Sequence, residues 1–115
     1  MYKRQALDRA AESSYDIARM RYETILSPEA VEDLRGLRAH VRAEVRDAME
    51  EHLRHTPTRE SKSRIKRLRG LSQPQYRLRI GEVRVFYDVA EGNVEVLAIV
   101  AKSEAEAWLA RMGER

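Results

Sequence analysis

The 115 residues contain no cysteine. That excludes disulfides, a thiolate zinc site and a cysteine nucleophile, and it fits a reducing cytosol. No apolar run approaches the ~20 residues of a membrane span, and the start does not read as a signal peptide. Also missing are a Gly-rich phosphate loop, a G-x-S-x-G elbow and a dinucleotide fingerprint. Histidine is scarce: His40, His52 and His55 are all there are. His52 and His55 stand about one helical turn apart, but no carboxylate spacing completes a metal motif, so they read as surface residues with no metal expected. Any chemistry must come from arginine, lysine, tyrosine and carboxylates, without a small-molecule cofactor.

Charge is present in abundance, at 36% of the chain against 43% apolar residues. This suits one small α+β domain with a modest core. The net charge is only +3, so its distribution matters more than its sum. Lys62, Arg64, Lys66, Arg67, Arg69, Arg77, Arg79 and Arg84 fall in one interval, opposed there only by Glu82. A local basic field of this kind suits a phosphate-rich partner; a merely solvated charged face is the alternative.

The opening residues, MYKRQ, coincide with the in-frame translation of a transposon-end sequencing adaptor. The expected division is therefore a non-native or disordered extension over 1–19 and a domain over 20–115, starting at Met20. RYETILS alternates as a short strand. Ser27, Pro28 and Glu29 then form a helix start, with serine as N-cap and proline at the first helical position. Ala30, Val31, Leu34, Leu37, Val41, Val45, Met49 and Leu53 continue at helical spacing, interrupted at Gly36. This predicts a helical hairpin that ends before Pro57. Residues 58–74 read as a basic connector anchored by Ile65, Leu68 and Leu71.

YRLRIGEVRVFYDV, residues 76–89, reads as a hairpin with a two-residue turn at Gly81-Glu82. Its register places Tyr76, Leu78, Ile80, Val83, Val85 and Tyr87 on one face, the core. Arg77, Arg79, Arg84, Phe86 and Asp88 take the other. Arg79 opposite Arg84 costs stability unless an anion relieves it; Asp88 or a helix carboxylate is the internal alternative. Phe86 suits stacking on an unpaired base, or else burial beside Leu97 and Trp108. A second turn at Glu91-Gly92-Asn93 leads into VEVLAIV, a strand covered on both faces. A closing helix follows, capped by Ser103 with Glu106 in capping-box spacing, its packed face carrying Trp108, Leu109 and Met112. The expected order is β-α-α-β-β-β-α, a small antiparallel sheet packed on an N-terminal helical hairpin.

That order, with the core L-x-G-x(4,5)-Y-R-L-R-x-G-x-x-R-V-x-Y, resembles the RelE/ParE superfamily of bacterial type II toxins over about Met20 to Leu109. The resemblance implies a RelE-like fold. In the RelE-like subgroup it further implies a cytoplasmic, ribosome-dependent endoribonuclease that cuts mRNA by metal-independent attack of the 2′-hydroxyl. The partners implied are a cognate antitoxin and mRNA on the ribosome. By motif position, Arg77 and Arg79 match the paired basic residues of the second strand and Arg84 the arginine of the third. Lys102 joins them as a catalytic candidate. Lys62, Arg64, Lys66, Arg67, Arg69 and Phe86 are the RNA-binding candidates. The chain departs from the pattern after its last strand, where active members carry Arg or His and then Tyr or His. Here Lys102, Glu104 and Trp108 stand in that region. A ParE-like gyrase inhibitor and an inert antitoxin-binding member are the alternatives.

Overall fold

The computed structural model describes residues 21–113. The expectations for residues 1–19 and for a start at Met20 lie outside them. The elements run β1 (Glu23–Leu26), α1 (Pro28–Arg35), α2 (Ala39–Leu53), β2 (Ile65–Arg67), β3 (Tyr76–Ile80), β4 (Val83–Ala90), β5 (Asn93–Ala101) and α3 (Lys102–Gly113). The sheet order is β1-β5-β4-β3-β2.

Local signals set most of these boundaries. The Ser27 hydroxyl accepts from the Ala30 N–H at 3.0 Å, with Pro28 in the first turn, so α1 starts where its cap dictates. Gly81 turns the β3–β4 hairpin at φ 57°, a left-handed conformation that costs glycine little. The hairpin register is the expected one, from Tyr76 opposite Tyr87 to Ile80 opposite Val83.

Three features differ from the sequence expectation. The connector contains a strand: β2 pairs antiparallel with β3, Ile65 opposite Leu78. Three residues, two of them charged, are too few to show a periodicity. Second, β1 joins β5 in parallel, with α1, α2 and the strands β2 to β4 lying between them in the chain. Third, α3 begins at Lys102, directly after β5, so Ser103 lies inside the first turn instead of capping it. The Lys102 backbone N–H donates to the Glu82 carbonyl at 2.7 Å, and this tertiary bond ties down the helix start.

The main core lies on one face of the sheet. Leu78, Val85, Tyr87, Val94 and Val96 pack there with Val45, Met49 and Leu53 of α2 and Ala30 and Leu34 of α1. Each such aliphatic side chain contributes roughly 1.5–3 kcal/mol by leaving water. The Tyr87 hydroxyl donates to the Pro57 carbonyl at 2.6 Å, and burial pushes its pKa far up. A bulge between Phe86 and Tyr87 of β4 sets Leu97 as an extra residue on β5. Ala98 therefore faces outward beside Phe86, while Val96 and Ile99 stay in the main core.

A second, smaller cluster covers part of the opposite face. Phe86, Ala98 and Trp108 form its buried centre, with Leu68, Leu97, Leu109 and Met112 around them. The Phe86 and Trp108 rings stack at 4.9 Å with 9° between planes, worth roughly 0.5–1.5 kcal/mol beyond area burial. Trp108 Nε1–H donates to Glu29 Oε2 at 3.0 Å, linking α3 to the first turn of α1. β5 outruns β1, and α1 satisfies the edge thus left over: Ser27 Oγ donates to the Leu97 carbonyl and Asp33 Oδ2 accepts from the Ile99 N–H. No helix among the described residues is long and apolar enough to cross a membrane.

Candidate nucleic-acid interface

The basic side chains are placed by strand alternation. Two rows cross the sheet on the face away from the main core: Lys66, Arg77, Phe86 and Ala98 in one, Arg79, Arg84 and Val100 in the next. The apolar end of each row, on β5, belongs to the second cluster under α3. The other end, on β2 and β3, is cationic.

The three arginines differ in environment. Arg79 is exposed. Arg84 is only 7% exposed, and its Nη1 donates to the Gly81 carbonyl at 2.8 Å and the Val83 carbonyl at 3.0 Å. Its guanidinium thus holds the β3–β4 turn. Burial and the nearby Arg79 charge hold its pKa below the ordinary arginine value, with Glu82 acting the other way. Arg77 is half-buried, and burial, then Arg84 and Arg79, lower its pKa. The buried Nε of Arg77 has no hydrogen-bond partner. Arg77 and Arg84 remain cations near neutral pH, because a guanidinium keeps its proton under shifts of this kind.

Among the described residues none of the three arginines forms an ion pair. Asp88, the internal alternative, turns to the loop before β3: its oxygens accept from the Gln75 N–H and the Gln73 amide, both at 2.8 Å. Among the described residues, the like-charge repulsion of Arg79 across from Arg84 is therefore relieved by no ion pair.

The connector residues divide. Lys66 shares the outward face with Arg77, and alternation about the buried Ile65 puts Arg64 on that side as well. Arg64 Nη1 donates to the Arg79 carbonyl at 3.2 Å. Arg67 goes to the other face, over the Tyr76 ring at 5.1 Å and with Nη1 on the Tyr76 hydroxyl at 3.2 Å. It supports the core side of the sheet and does not join the arginine cluster. Lys62 and Arg69 are exposed in the segments flanking β2. Lys102 is exposed at the start of α3, its backbone bonded to the β3–β4 turn.

Phe86 requires a correction. It is fully buried beneath Trp108, so the ring offers no free face on which a base could stack. Burial of its apolar surface under α3 outweighs any gain from presenting it to solvent. Among the described residues, no group of three or more His, Asp or Glu side chains is placed to hold a metal ion. Sequence reasoning missed the β2 pairing that brings Lys66 opposite Arg77; its one signal was the buried Ile65 between Arg64 and Lys66.

A family model described as the ParE toxin of the type II toxin–antitoxin system parDE matches residues 24–106. Among solved structures, the chain is similar to a RelB–RelE antitoxin–toxin complex from Methanococcus jannaschii, at 19% identity and TM-score 0.58, over 73% of this chain and 96% of that one. The toxin–antitoxin complex RelBE2 of Mycobacterium tuberculosis gives 22% identity and TM-score 0.59, covering 70% and 98%. The archaeal RelE–RelB complex of Pyrococcus horikoshii gives 28% and 0.52, covering 72% and 97%. No curated protein matches. The family model spans most of the chain, including the whole arginine hairpin, and the chain belongs to the RelE/ParE family of type II toxin–antitoxin toxins.

Proposed function

We propose that this toxin is an endoribonuclease that cleaves translated mRNA on the ribosome in the cytoplasm and is held inactive by a cognate antitoxin. The single observation that carries this reading is the cationic face, without an ion pair among the described residues: Arg77 and Arg79 beside Arg84, with Asp88 turned elsewhere. In the reaction, a 2′-hydroxyl attacks the adjacent phosphorus and passes its proton to a water molecule. The bond to the 5′-oxygen breaks, that oxygen gains a proton, and the products are a 2′,3′-cyclic phosphate and a 5′-hydroxyl. Arg77 and Arg79 hold the phosphate and stabilise the charge that grows on it, while Arg84 holds the turn that fixes their strand. Lys102 supplies the proton for the leaving oxygen. The antitoxin reading is supported by the toxin–antitoxin complexes among the similar structures.

Replacing Arg77 and Arg79 together by alanine tests the reading. Growth arrest and mRNA breakage on expression should both disappear; undiminished breakage would overturn the site. A second reading has its own support, since the matching family model is that of ParE and Trp108, which cannot transfer a proton, occupies the last helix. In that case the toxin inhibits DNA gyrase. Intact mRNA together with a DNA-damage response in arrested cells would select it.

A further inference from the structure

A cavity of about 330 Å³ lies at the edge of β2, where the end of α2 meets the loop before the strand. It is lined by His52, Arg59, Glu60, Ser61, Ser63 and Arg64. We propose that this cavity holds a second phosphate of the RNA strand, adjoining the phosphate at Arg77 and Arg79. The proposal rests on the ribonuclease reading above.

The hydrogen-bond inventory points to an anion. The Ser61 hydroxyl oxygen accepts two backbone N–H groups, Arg64 at 3.0 Å and Ile65 at 3.3 Å. With both lone pairs occupied, its O–H is left to donate. Arg64 spends one N–H on the Arg79 carbonyl and keeps the rest of its guanidinium available beside the cavity. Arg59 and the Ser63 hydroxyl add further donors. Glu60 is the lone carboxylate of the lining, and its Oε1 already accepts the Arg67 N–H at 3.0 Å. Apart from Ile65 the walls are polar, which suits a small hydrated anion better than an apolar peptide side chain.

Arg64 also supplies continuity. Its backbone carbonyl accepts the Arg79 N–H at 2.9 Å, so cavity and arginine face share one pair of backbone-bonded residues. A strand leaving Arg79 around the β2 edge meets Arg64 first and Arg59 beyond it.

The test is binding of a single-stranded RNA oligonucleotide to the purified full chain at several salt concentrations, with mRNA cleavage on translating ribosomes mapped in parallel. Each phosphate contact to a single strand contributes about 0.7 to the slope of log K against log salt. Arg59→Ala should lower the slope by about 0.7 and weaken binding, while the cut positions stay unchanged. Arg59→Lys should restore the slope, and the thermal midpoint should not move in either variant. An unchanged slope in Arg59→Ala, with cleavage still lost in the Arg77/Arg79 double variant, would overturn the cavity and leave the nuclease reading standing. Cleavage retained in the double variant would overturn the nuclease reading, and the second-phosphate assignment with it.

Discussion

The two faces of the β3–β4 hairpin carry residues from the same stretch of chain but answer to different forces. On one, Tyr76, Leu78, Ile80, Val83, Val85 and Tyr87 are all at most 7% exposed and pack against the helices. On the other, Phe86 is equally buried, yet its ladder neighbour Arg77 has a buried Nε with no partner. The first face is settled by burial alone. The second is settled by which part α3 covers: under the helix it is core, and beyond it the cations form no ion pair among the described residues.

The sharpest way to break this contrast is Leu78→Ala, which should cost about 2–5 kcal/mol in urea denaturation because a cavity opens in the main core. Next is the tie between α1 and β5. Asp33→Ala removes the acceptor of the Ile99 N–H and should cost about 1–3 kcal/mol, whereas Asp33→Asn keeps an acceptor and should cost less. Asp33 also carries a pH signature. Its pKa is raised by burial, partly offset by the Ile99 bond, with Glu29 raising it further. The folded state then binds more protons than the unfolded one, so this group's contribution to stability falls as pH rises from its ordinary value near 3.8 through the raised one. Stability curves measured against pH should be flatter in Asp33→Asn over that window.

Trp108→Phe keeps the ring against Phe86 but loses the bond to Glu29 and should cost about 1 kcal/mol, read as a fall in the thermal midpoint. The smallest effect belongs to the outward face: Arg79→Ala should change stability by less than about 0.5 kcal/mol, or raise it slightly, because it relieves repulsion with Arg84. A large loss of stability there would show that Arg79 belongs to the fold and not to a site.

Much of this was legible before folding. Alternation and a Gly-first turn were enough for the hairpin register, since a one-residue slip would carry Leu78 and Val85 out of the core. The Ser27-Pro28 start of α1 was equally plain, being local chemistry. β2 was not, because three residues gain their strand identity only from pairing with β3. Nor could alternation tell that Arg84 would be buried against its own turn while Arg79 stayed in solvent. Both are outward-facing arginines, and the distinction comes from the Gly81 and Val83 carbonyls that hold the Arg84 guanidinium against the turn.

The sequence by itself determined the elements with strong local periodicity, the hairpin register and the family, because side-chain alternation and cap chemistry act over a few residues. Only the tertiary structure decided that Phe86 is core, that Asp88 serves a loop, and that Arg67 leaves the basic cluster for the Tyr76 ring. Those outcomes depend on contacts between residues distant in the chain, where burial under α3 and pairing across β2 compete with solvent.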